Sequence, residues 1–159
     1  MKMKSVLLGA VLVLLLGSFA TAAQKEPVKP SPGDKCPVCG MFVAKYPDWV
    51  GEIIFGDGSV VFFDGAKDLF KYYLNLKKYN PNRTTADVVA VYVTEYYNLR
   101  MIDGYTAFYV IGSDVYGPMG RELIPFETVD DAKEFMKDHK GERILRFKNL
   151  RLRTLNKLD

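Results

Sequence analysis

One order of predicted elements runs twice along this chain, and that repetition narrows the folds open to it more than any other feature. In the first run, residues 50–55 and 59–63 are rich in β-branched and aromatic side chains. They are separated by Gly56-Asp57-Gly58, whose Asp-Gly step supplies the positive φ angles of a tight hairpin turn. Asp64 then stands as a cap for a helix from about 65 to 73, with Ala66, Leu69, Phe70 and Tyr73 at three- and four-residue spacing for one apolar face. After the polar stretch 77–85, a β-branched run at 88–93 reads as a further strand. The second run offers a strand at 106–111, a Gly-rich connection, a strand at 122–126, a helix over 129–138 and a strand at 143–147. Thr128 is the expected cap of that helix, with Asp131 three residues on. The wording repeats as well: Phe63-Asp64-Gly65-Ala66-Lys67-Asp68-Leu69-Phe70-Lys71 is echoed from Phe126 through Ala132-Lys133-Glu134-Phe135-Met136-Lys137. The expected fold class is α+β, two homologous ββαβ units over about 36–95 and 96–150. Each half has only about 50 residues, too few to bury a comfortable core alone, so the two pack on one another. A cleft between them is the natural place for a ligand.

Outside the repeat the chain changes character. Residues 1–23 read as a secretory signal: Lys2 and Lys4 start it, 6–16 is almost wholly apolar, and Ala20-Thr21-Ala22 offers a small-x-small cleavage site. The apolar run is short against the roughly 20 residues of a membrane-spanning helix, so the protein is expected to be exported to the periplasm, either freed or held by an uncleaved signal. Residues 24–35 carry three prolines and few apolar side chains, the composition of an extended linker. The domain is expected over 36–150, with 151–159 as a basic tail. Without Lys2 and Lys4 the chain has 20 Lys and Arg against 19 Asp and Glu, a balance that argues against nucleic acid as the main partner. The basic residues nevertheless crowd the last quarter, among them Lys140, Arg143, Arg146, Lys148 and Arg151. They form a solvated edge that a membrane surface or an acidic protein could meet.

The chemistry is concentrated in Cys36-Pro37-Val38-Cys39-Gly40-Met41, which holds both cysteines of the chain and a methionine. Proline and glycine let a tight turn present two sulfurs on one side, as in a metal knuckle. Structural zinc and rubredoxin-type iron sites use two such knuckles, and this chain has one. Its lone His139, at the end of a helix, suits a cap or surface role better than a ligand role. Cu(I) is different, because two or three polarisable sulfur donors suffice. Met119 adds a candidate, since Gly117-Pro118-Met119-Gly120 puts a thioether in a turn rather than on a packed element. Met101 and Met136 read as packing residues, and the many tyrosines as half-buried core and rim. The competing reading is a thiol-disulfide pair. A thioredoxin-like site wants Cys-x-x-Cys at a helix N-terminus after a strand, whereas here a Pro-rich segment precedes it and Pro47 follows closely. Phosphate loops, nucleophilic serine motifs and zinc hydrolase patterns are lacking, so the sequence points to none of those enzyme classes.

Taken together, Cys39-Gly40-Met41, the hairpin with Phe62-Phe63-Asp64, the run Phe108-Tyr109-Val110-Ile111-Gly112-Ser113-Asp114-Val115, and Gly117-Pro118-Met119-Gly120 before Pro125-Phe126 resemble the NosL family. These are copper-binding accessory proteins associated with nitrous oxide reductase. The resemblance covers about residues 36–147. It implies two ββαβ halves related in fold to organomercurial lyase, and one Cu(I) passed from a copper donor protein to a copper-accepting apo-enzyme, nitrous oxide reductase. By position, Cys39 resembles the family's thiolate ligand and Met119 its thioether ligand, with Met41 and Asp114 as accessory donors. Two departures stand out: this sequence lacks the lipid-bearing cysteine usual in the family, and it has Cys36, which either adds a second thiolate or oxidises with Cys39. The alternatives left open are a thiol-disulfide redox protein and a copper sensor or buffer for another client, such as oxidase assembly.

Overall fold

The computed structural model describes residues 25–159; the signal reading for 1–23 lies outside them. The first half builds β1 (Gly51–Phe55), β2 (Val60–Phe63), α1 (Ala66–Leu74), the short α2 (Leu76–Tyr79) and β3 (Val88–Thr94), with β4 (Met101–Asp103) added beyond. Its sheet has the order β2-β1-β3-β4, and β1 pairs antiparallel with both β2 and β3. Thus β2 and β3 run parallel on either side of β1, joined through α1. The second half repeats this plan with β5 (Phe108–Ile111), β8 (Ile124–Phe126), α3 (Val129–Asp138) and β9 (Arg143–Arg146) in the order β8-β5-β9. A small hairpin of β6 (Tyr116–Gly117) and β7 (Gly120–Arg121) is inserted between β5 and β8. The registers match across the halves: Gly51 faces Phe63 and Val93, and Phe108 faces Phe126 and Arg146. Phe63 and Phe126 are therefore equivalent positions, and the paired ββαβ architecture follows.

Local signals account for these elements. Gly58, at φ +90, turns the first hairpin, where the Phe55 N–H donates to the Ser59 carbonyl. Thr128 caps α3, its hydroxyl accepting from the Asp131 N–H at 3.1 Å. A Thr128→Ala variant should accordingly lose about 1 kcal/mol, read as a lower midpoint in urea unfolding. The main core is shared by the halves: Leu69 and Phe70 of α1 pack with Tyr109, Ile111 and Leu123 from the second half. The Phe70 and Tyr109 rings meet edge to face at 5.2 Å.

Both ends of the described chain are tied to the domain. Within the stretch 24–35, read as an extended linker, Lys25 and Val28 bond to the outer face of the first sheet. The Glu52 carboxylate accepts the Val28 N–H at 3.1 Å, and the Tyr92 hydroxyl donates to the Lys25 carbonyl at 2.8 Å. The cause is that β1 is buried on both sides, with Ile53 in the shared core and Ile54 packed with Ala90 and Tyr92 on the other face. The expected basic tail carries a short helix, α4 (Leu152–Leu155), and buries Leu155 and Leu158 in the shared core. Its basic side chains concealed an apolar pair that anchors it.

Candidate metal centre

Residues 36–42 close as a knuckle. The Gly40 N–H donates to the Cys36 carbonyl at 2.8 Å, and the Cys36 N–H to the Met41 carbonyl at 2.9 Å. Gly40 sits at φ +81, where a side chain would be strained, so the Cys-x-x-Cys-Gly spacing is what lets the turn form. The turn brings both sulfurs against the junction of β2 and α1. The Cys39 thiol donates to Asp64 Oδ1 at 3.1 Å, and the Cys36 thiol to Asp68 Oδ2 at 3.5 Å. One ligand atom from each of Cys36, Cys39, Asp64 and Asp68 lies within 4.8 Å of the others. Both cysteines are free thiols.

This cluster is largely shielded from water. Cys36 is 1% exposed, Asp64 1% and Asp68 4%, while Cys39 is half-buried and forms the outward side. Burial pushes the Cys36 thiol far up and the Cys39 thiol up to about 11, with the nearby Asp64 carboxylate adding to both. Burial also raises the Asp68 carboxyl. Asp64 Oδ2 is buried without a hydrogen-bond partner. An orphaned carboxylate oxygen beside two thiols is a costly arrangement in an apolar setting, and a cation relieves it.

The remaining sequence candidates fall in different places. Met41 is half-buried and closes the knuckle through its carbonyl. Met119 sits in the turn between β6 and β7, 44% exposed, and its carbonyl accepts from the Lys67 ammonium at 2.9 Å. Lys67 precedes Asp68 on α1, so the turn is fastened to the helix that carries part of the cluster. Asp114 bonds within the second half, to His139 at 3.2 Å and Lys140 at 3.8 Å near the end of α3. His139 itself terminates α3, its N–H donating to the Phe135 carbonyl.

Sequence reasoning missed the two carboxylates. Asp64 reads as a helix cap, but the N-cap is Gly65 and no side chain at that position caps α1. The cap comes from the other half: Glu122 Oε1 accepts the Lys67 N–H at 2.5 Å and the Leu123 N–H at 2.8 Å. Asp64 is thereby free to face Cys39. The signal that was present is the spacing of Asp64 and Asp68, four residues apart across a helix start, which puts both on one side. With them the donor set is two thiols and two carboxylates, richer than the count of sulfur and imidazole alone.

The family model for NosL matches residues 27–155. The copper-binding lipoprotein NosL of Stutzerimonas stutzeri is 29% identical over 133 residues, covering 79% of this chain and 66% of that relative. The chain thus spans a little under two thirds of the relative's length. The crystal structure of the copper chaperone NosL from Shewanella denitrificans superposes with a TM-score of 0.69 at 24% identity, covering 81% of this chain and 98% of that one. This likeness extends to the paired-half architecture. With the family model spanning nearly all the described residues, the chain belongs to the NosL family.

Proposed function

We propose that the protein captures one Cu(I) ion on Cys39 and hands it to a copper-dependent enzyme. The observation that carries this reading is the convergence of Cys36, Cys39, Asp64 and Asp68 within 4.8 Å around an orphaned carboxylate oxygen. The names of the relatives, a copper-binding lipoprotein and a copper chaperone, support the choice of metal. Polarisable sulfur favours Cu(I), and Cys39, the more exposed thiol, is the one an arriving ion meets first. Met119 serves as the thioether ligand. It is soft and exposed, and it is carried on a turn tied to α1, so an acceptor can displace it by ligand exchange. Cys36 and Met41 are accessory donors from the same knuckle, and Asp114 is the weakest candidate because His139 and Lys140 already engage it.

The ion is cargo, so the role is that of an accessory protein. Nitrous oxide reductase is the proposed client, with a separate copper donor protein upstream. Export follows from the signal reading of 1–23, which places both steps in the periplasm; among the described residues no helix is long and apolar enough to cross a membrane.

The two carboxylates favour one competing cargo, Zn(II), which accepts a four-donor tetrahedral set. Titration of reduced protein with Cu(I) against a competing chelator, with excess Zn(II) present, separates them. One Cu(I) per chain is expected, with a loss of about tenfold or more in Met119→Leu. Retention of Zn(II) in place of Cu(I) rejects the copper reading, and unchanged affinity in the variant rejects Met119.

A further inference from the structure

We infer that Lys67 is a positioning residue for this site: its ammonium fixes the Met119 turn of the second half against the first turn of α1 and so sets where the thioether stands relative to the cysteine knuckle. This rests on the reading of Met119 as a copper ligand. Lys67 is 1% exposed, and its side chain is among the largest that are fully buried. A buried ammonium has three donors and no acceptor, and all three need partners. They find the Met119 carbonyl at 2.9 Å, the Leu158 carbonyl at 3.5 Å and the Asp159 carboxylate at 3.5 Å. Asp159 is held in turn by Lys71, one helical turn further along α1, and Lys71 lies 3.9 Å from Asp68 of the metal cluster.

The same residue is gripped a second time. Its backbone N–H donates to Glu122, three residues beyond Met119. Two points of one short segment of the second half, the Met119 carbonyl and the Glu122 carboxylate, thus close on opposite ends of Lys67. Among the described residues the Met119 side chain has no hydrogen-bond partner, and it is the exposed tip of a two-residue turn. A thioether so placed is a usable ligand only if its backbone is fixed, because each donor of a metal site must be held in register by its supporting bonds. Lys67 supplies that bond from the residue next to Asp68, so the one helix turn references both the carboxylate of the cluster and the methionine.

The test uses Lys67→Met, which keeps a long apolar stem and removes the donors. In the copper-free protein, backbone 15N order parameters at Met119 and Gly120 should fall from about 0.85 in the unaltered chain to below about 0.6 in the variant. Cu(I) affinity measured by chelator competition should fall about tenfold. In a Met119→Leu background the same substitution should cost no further affinity, because both changes remove one interaction. Should the tenfold loss persist without Met119, Lys67 acts through the helix and the inference is overturned. Order parameters already below about 0.6 in the unaltered protein overturn it too, a result that does not depend on whether the variant folds. Met119→Leu with unchanged affinity removes the ligand reading and this inference with it. That outcome differs from one in which Met119→Leu weakens binding and Lys67→Met does not, which overturns this inference alone.

Discussion

Cys39→Ser is expected to lower Cu(I) affinity by more than about a hundredfold, beyond the ten- to hundredfold that removal of an outer partner of a metal ligand costs. A hydroxyl is a hard, weakly acidic donor, and it offers Cu(I) neither the charge nor the polarisability of a thiolate. Cys36→Ser should weaken binding less, by about tenfold, because Cys36 lies behind Cys39 at 1% exposure and its thiol is the more strongly held in protonated form by burial. Chelator competition on the reduced variants gives both numbers. If Cys36→Ser costs more than Cys39→Ser, the buried sulfur is the anchor and the order of capture is reversed. Backbone effects should be small in both, since the knuckle closes through the Cys36, Gly40 and Met41 main chain and not through the sulfurs.

What could be foreseen divides by distance along the chain. Thr128 and Asp131, the Gly56-Asp57-Gly58 turn and the span of α3 were legible because each is decided by neighbours within a few residues. The duplication was legible because one order of elements runs twice and the wording of Ala66 to Lys71 returns at Ala132 to Lys137; the sheet registers, which make Phe63 and Phe126 equivalent, set that echo out of step by about one helical turn. Cys36 and Cys39 stood out for their chemistry. The carboxylates facing them did not, because Asp64 precedes a helix and local rules assign it as a cap. That assignment failed for a non-local reason. At the equivalent position of the second half Thr128 caps its own helix, whereas Gly65 has no side chain to do so, and Glu122 arrives from the other half, more than 50 residues away in sequence. Burial of Leu155 and Leu158 was hidden in the same way, because the run around them is basic while their own packing partners lie far off in sequence, in the shared core.

Glu122→Ala should be among the most destabilising single substitutions in this chain, at about 3 kcal/mol in urea unfolding, because it leaves the buried Lys67 and Leu123 N–H groups without an acceptor and uncaps α1. Glu122→Gln separates the cap from the charge. Both N–H groups donate to Oε1 alone, so an amide oxygen can replace it. Burial pushes the Glu122 carboxyl up to about 8, against the pull of the neighbouring Lys67 and with Asp68 adding to the rise, from an ordinary 4.5. Between those values the native state holds a proton that the unfolded chain has released. The contribution to stability is therefore fully present below 4.5, declines as pH rises, and is gone above about 8, a loss on the order of a few kcal/mol. Glu52, raised by burial to about 7, titrates in part of the same window, so the informative quantity is the difference between the parent and Glu122→Gln. That difference should shift in favour of the glutamine variant by a few kcal/mol from pH 5 to pH 9. Parallel curves would show that Glu122 is ionised in the native state throughout, with the Lys67 ammonium and the α1 N-terminus outweighing burial.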